Sequence, residues 1–263
     1  MARAAISGGR DNNVTDSHGF VGGGRRNTAT GPYGFVGGGE LNTVAGSHAV
    51  VSGGKSNTAT GLYGVVSGGS GNSASGSWSV ISGGDSNAAL FVGSVGGGFS
   101  NTAGSWGIVA GGVGNLAGFG ATVAGGGGTL DEQRSSVVVP GHRAIGAWSA
   151  IGGGFASTAS AAYSVISGGK ENAVSGYAAV VSGGDANNAT AQYSSVAGGS
   201  TNLATGYAGA VGGGKSNAVA GPYGVAGGGY KNTAERSYGV VSGGYNNKAA
   251  WTYDVVGGGG LNT

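Results

Sequence analysis

The chain has no cysteine, three prolines and one methionine, and only 8% of its 263 residues are charged. Without cysteine it can form neither a disulfide framework nor a thiolate metal site, which leaves the compartment open. The net charge is +2, and lysine and arginine are scattered singly apart from Arg25-Arg26. There is thus no basic stripe for nucleic acid and no acidic tail. No apolar run approaches the ~18 residues of a membrane span, so no membrane contact is expected from this segment. The opening residues MARAAISGG show no apolar core of a signal peptide. What the chain has in plenty is glycine, 66 residues of it. That much glycine without a period would indicate disorder. Here it has a period.

Residues 52–66, SGGKSNTATGLYGVV, form one unit. Counted from the residue before the paired glycines, units begin at Ser7, Gly22, Gly37, Ser52, Ser67, Ser82, Gly96, Ala110 and Ala124. They resume at Gly152, Ser167, Ser182, Ala197, Gly212, Gly227, Ser242 and Gly257. Most are fifteen residues long; those starting at Ser82, Gly96 and Ala110 are fourteen. The sixth position is asparagine except at Thr129 and Ser157, and the eighth is alanine or valine except at Asp131. The last is valine or isoleucine except at Ala226. The 28 residues from Ala124 to Ile151 have room for two degraded fourteen-residue units. Three regions result: a first array over 1–123, an irregular two-coil stretch with a protruding loop over 124–151, and a second array over 152–263.

Adjacent glycines exclude helix, since each costs roughly 1 kcal/mol against alanine in a helix interior. Segments such as YGVVS (63–67) and YSVIS (163–167) read instead as strands bounded by Gly-Gly and Asn-Thr turns. A unit this short cannot bury a face alone, so units must stack. The expected fold is all-β, a parallel β-solenoid of about 17 coils advancing about 4.8 Å each, some 80 Å in all. The final valine and the eighth-position alanine fill a thin core. Glycine serves the sharp turn. Asparagine suits the other turn, because it tolerates the left-handed conformation and bonds local backbone, and stacked asparagines can form a ladder.

Strand side chains alternate sides. If the last position points inward, its predecessor points out, and that row is Phe20, Phe35, Val50, Val65, Val80, Ile108, Ala150, Val165, Val180, Ala210, Val225, Val240 and Val255, with only Ser94, Thr122 and Ser195 polar. Two residues earlier stand His18, Tyr33, His48, Tyr63, Trp78, Trp148, Tyr163, Tyr193, Tyr223, Tyr238 and Tyr253. So long an apolar and aromatic stripe exceeds the few hundred Å² that soluble monomers usually expose. Packing against further copies of the chain accounts for it; a stacking platform for sugars or surfaces is the other reading.

The run SGGKSNTATGLYGVV resembles the head repeats of YadA-like trimeric autotransporter adhesins, over roughly 7–123 and 152–263. The resemblance implies a left-handed β-roll with three chains side by side, displayed on a bacterial cell surface. Such a homotrimer attaches to an extracellular matrix protein, a glycan or an abiotic surface, and is held to the outer membrane through other segments. The units here usually carry one more glycine than that family's fourteen residues. Viral and phage fibre shafts resemble the same repeats, which makes a tail-fibre segment on a virion the alternative. The family's neck, coiled-coil stalk and anchor barrel have no counterpart here, and the chain starts and stops inside a repeat, as a piece of a longer fibre would.

Chemistry is sparse. Glycine-rich matches to phosphate-binding motifs lack a β–α context, and the acids are too few for calcium-binding repeats. Three separated histidines do not suggest zinc, so neither cofactor nor metal is expected. The irregular stretch TLDEQRSSVVVPGHRAIGAW, 129–148, breaks the repeat rules, which is where function or strain concentrates. Its Asp131, Glu132, Arg134, His142 and Arg143 are the candidate binding residues. Asp131-Glu132 is the adjacent acid pair a polysaccharide-cleaving enzyme would need, but a non-enzymatic fibre is the expectation. NTATG at 27–31 and 57–61 places Thr-x-Thr on a strand, as a flat ice-binding face requires, yet the threonine array is not sustained.

Overall fold

The computed structural model describes residues 3–131 and 136–263 and contains no helix among them. It has two compact units, Met1–Gly141 and His142–Thr263. Each is a parallel β-solenoid, and together they make about 16 turns. Every coil contributes two strands of two residues, as in Thr58–Ala59 and Val65–Val66. Each pairs in parallel with its equivalent one coil away: Val65 with Val80, and Ser73 with Thr58. A third ladder of single bridges runs along the fourth position, for example Glu40 to Lys55 to Ser70.

The interior is two residues thick. Val66, Ile81, Ala59 and Ala74 are fully buried, and so are their equivalents in the inner coils of both units, whereas Ile6 is 46% exposed. One buried valine stabilises by about 1.5–3 kcal/mol, too little for a lone coil, so stability comes from stacking on neighbours. Val14, Val44 and Val219 at the eighth position each pack closely against a glycine at a thirteenth position. A Cβ on Gly209 or Gly224 would come 2.8 or 2.9 Å from a methyl of Val219.

Two glycines stand in close approach to the next coil, and the first of them lies at a position that is glycine in every unit. Gly54 has φ +90°, and a Cβ there would stand 2.2 Å from the carbonyl oxygen of Gly69. At Gly61 the distance to the oxygen of Gly76 would be 1.9 Å. The fourteen-residue coils are one residue shorter in this turn: TATGLYGVV at 58–66 becomes AALFVGSV at 88–95 and TAGSWGIV at 102–109, where Gly104 keeps the glycine. Strand register survives the deletion, since Val80 still pairs with Ser94 and Ser94 with Ile108. The missing residue is taken from the turn.

The asparagines form the expected ladder, fully buried from Asn27 to Asn115 in the first unit. The Asn72 backbone N–H donates to Oδ1 of Asn57 at 3.0 Å. Nδ2 of Asn57 donates to the carbonyls of Gly53 in its own coil and Gly69 in the next, both at 2.9 Å. The left-handed role expected of asparagine belongs to the residue before it. Arg26, Leu41 and Ser56 have φ of 56°, 58° and 54°, and the sixth-position asparagines are not left-handed. The ladder explains this: asparagine's own N–H and C=O are already engaged coil to coil, so the chain turns one residue earlier.

A second left-handed residue falls at the aromatic position, with φ of 58° at Tyr33 and 56° at Tyr63. This conformation costs L-residues roughly 1–2 kcal/mol. A hydrogen bond from each such N–H to the preceding coil offsets it, as from Tyr63 to the oxygen of Ser47 at 3.0 Å.

Part of 124–151 does not form coils. Thr129–Leu130 and Val137–Val139 pair antiparallel as a hairpin, in place of a second degraded coil. Val137 rests over Gly114, where a Cβ would lie 3.0 Å from its methyl. Regular pairing in the second unit begins at Arg143–Ala144 against Thr158–Ala159, ahead of the repeat start at Gly152.

Candidate functional site

The valine strands show what the coil offers to a partner. In all but the first and last of them the second residue is buried and the first is more exposed: Phe35 is 39% exposed beside buried Val36, and Ile108 48% beside buried Val109. Phe20 and Phe35 stack along this outward row at 5.4 Å.

Beside it, on the turn leading into those strands, runs a ladder of rings. In the first unit it passes from His18 through Tyr33, His48, Tyr63, Trp78 and Phe91 to Trp106. In the second it runs through Tyr163, Tyr177, Tyr193, Tyr207, Tyr223, Tyr238 and Tyr253, with Trp148 at the same left-handed position one coil before Tyr163. Register decides the geometry. Neighbouring rings that both occupy the left-handed position lie within 30° of parallel, from His18 and Tyr33 at 6° to His48 and Tyr63 at 30°. A ring from the residue one earlier meets its neighbour edge-on, as Tyr177 and Tyr193 at 85° and Trp78 and Phe91 at 81°. Both arrangements are favourable for aromatic pairs.

These rings remain about half exposed, Tyr33 at 51% and Tyr163 at 52%. Within the parallel stacks the ring faces cover one another, so mainly edges and hydroxyls reach solvent. That suits apolar packing and hydrogen bonding better than laying a sugar ring flat on an aromatic face. The sequence pattern missed Tyr177, Tyr207 and Phe91, which stand one residue early. The signal was there: Ala178, Ala208 and Val92 take the left-handed position behind them.

Of the five candidate residues in the irregular stretch, Asp131, His142 and Arg143 are among the described residues. Asp131 follows the first hairpin strand and accepts from the Ser136 hydroxyl at 2.8 Å and its backbone N–H at 3.2 Å. Glu132 and Arg134 lie outside the described residues. His142 and Arg143 belong to the second unit. His142 is fully buried at the ladder position, fifteen residues before Ser157, and its Nδ1 accepts the Ser157 N–H at 3.1 Å as an asparagine oxygen would. The ladder then passes through the Ser157 hydroxyl, which accepts from Asn172 at 3.2 Å. Burial lowers the His142 pKa below its ordinary value, and backbone hydrogen bonds with Gly154 and Ser157 act against it. Arg143 is exposed beside Thr158.

Among the described residues no group of three or more His, Asp or Glu could hold a metal, and no helix is long and apolar enough to cross a membrane. No protein-family model matches the chain, and no curated protein matches it.

Proposed function

We propose that the chain is a non-enzymatic structural segment of an adhesive surface fibre that works as a homotrimer. The observation that carries this reading is the outward apolar row of the valine strands, half exposed and flanked by a ladder of rings in both units. A stripe of this extent calls for a cover of matching period. Another copy of the chain has that period.

The resemblance of the repeats to YadA-like adhesin heads supports a bacterial cell surface as the setting and a matrix protein, glycan or abiotic surface as the target. Attachment is then weak at each coil and strong in sum, because linked copies bind at high effective concentration.

Light scattering tests the assembly, with a mass of three chains expected. Val65→Lys and Val180→Lys change outward, half-buried residues and should release monomers that keep their strand signal. A wild-type chain that is monomeric at all concentrations would defeat the proposal. Retention of the trimer, but not the monomeric variants, on collagen-coated or bare polystyrene surfaces would test the adhesive part.

A further inference from the structure

Arginine is unevenly placed: Arg3, Arg10, Arg25 and Arg26, four of the seven in the chain, fall within its first 26 residues. The fold concentrates them further. Arg10 and Arg25 bridge in parallel at the fourth position of successive coils, about 4.8 Å apart. Arg26 follows at the left-handed position, with φ 56° and its N–H bound to the oxygen of Arg10 at 2.9 Å. A shallow depression opens there, lined by Arg10, Asp11, Arg25, Arg26, Thr28 and Leu41.

Two of the three guanidinium groups are already engaged. Arg10 Nε lies 3.3 Å from the Asp11 carboxylate. Arg25 donates to Glu40 in the next coil, which holds that carboxyl below its ordinary pKa. Arg26 has no carboxylate partner among the described residues. The depression therefore has a surplus positive charge at its wall, an adjacent hydroxyl in Thr28 and an apolar side in Leu41, which is 38% exposed.

We propose that this depression binds one anionic group of an acidic glycan, a sulfate ester or a uronate carboxylate, with Arg26 as the principal contact. Guanidinium matches the planar or tetrahedral oxyanion through paired N–H donors. Leu41 offers an apolar surface to the C–H face of the sugar that carries the anion, and Thr28 offers a hydroxyl to its ring substituents. Nucleic acid fits poorly, because Asp11 and Glu40 interrupt the positive surface that a continuous phosphate chain requires. The equivalent corner elsewhere carries no arginine, and its cations are Lys55, Lys170, Lys215 and Lys231, so clustered guanidinium groups occur on one coil pair. The site is complete within a single chain and does not depend on self-association.

The test is a titration of the arginine Nε–H NMR signals with sodium sulfate, against sodium chloride at equal ionic strength. Hexasaccharides of chondroitin sulfate and of hyaluronan follow. Signals of Arg26, Arg25 and Arg10 should move, and those of Arg143 and Arg236 should stay. Arg26→Ala should weaken binding about tenfold, with Arg236→Ala unchanged. Alanine already occupies the left-handed position at Ala156 and Ala186, so the variant should keep the fold. Tighter binding of the sulfated sugar assigns sulfate; equal binding of both assigns the carboxylate. Equal shifts at Arg143 and Arg236, unchanged affinity in Arg26→Ala, or no binding of either sugar above the chloride control would overturn the proposal.

Discussion

The two units share a coil and relax different parts of it. In the first, every rung from Asn27 to Asn115 is asparagine, yet the coil shortens from fifteen residues to fourteen at Ser82. In the second, length is constant from Gly152 onward, but its first two rungs are His142 and Ser157. Length is negotiable because the deleted residue belongs to a turn, and both strand ladders keep their register around it. Chemistry at the rung is negotiable because a rung needs only an acceptor for the next N–H, which an imidazole nitrogen or a hydroxyl supplies. The stacked glycine beside the ladder has no such substitute in either unit.

The largest effect should come from that glycine. Gly54→Ala and Gly184→Ala would each bring a Cβ within 2.2 and 2.1 Å of the next glycine's oxygen. Each should cost about 4 kcal/mol or more, read as lost amide-exchange protection in the adjoining coils. Long repeat arrays do not unfold in one step, so the readout must be local. A unit that tolerated the change would break the equivalence of the two.

Next comes the rung. Asn57→Ala strands the oxygen of Gly53 and the Asn72 N–H and leaves Gly69 only the Lys55 N–H as donor, at about 1–3 kcal/mol. Asn57→Asp should be worse, since a carboxylate would face two carbonyl oxygens. Asn172→Ala should show the same order of loss, although its own N–H is held by a serine hydroxyl.

Acid should separate the units. The folded second unit favours neutral His142, whose pKa is lowered by burial. Its contribution is complete above the ordinary histidine value near 6.5 and is lost as pH falls through the lower folded value. Faster exchange of the Ser157 amide on acidification is expected, with the Asn57 and Asn72 amides unaffected. His142→Asn should abolish the effect. The smallest change is Gly114→Ser: serine is left-handed at the same position in Ser86 and Ser100, so it should cost about 1 kcal/mol and disturb only the hairpin, through Val137.

The coil was legible in the sequence because period and alternation are properties of residue spacing. Val66 inward, Val65 outward and Asn57 stacked on Asn72 all follow from counting. The left-handed residues were not legible, since Arg26 and Tyr33 have no intrinsic preference for that conformation; the preceding coil's carbonyl imposes it. His142 read as part of an irregular stretch because the hairpin separates it from the regular repeats on its N-terminal side, and only its distance to Ser157 betrays its place. The arginine cluster was visible as Arg25-Arg26 alone. Arg10 joins it through the coil's return, which no short motif encodes.

The asparagine ladder also bears on how such a chain is made. A finished rung presents a free side-chain oxygen to the coil that follows, and its amide awaits that coil's glycine carbonyl. Both contacts lie within about one coil of chain, so the entropy of closing each loop is the same at every step. A chain delivered from its N-terminus can therefore wind itself up behind the point of delivery, each turn a latch that the next one closes.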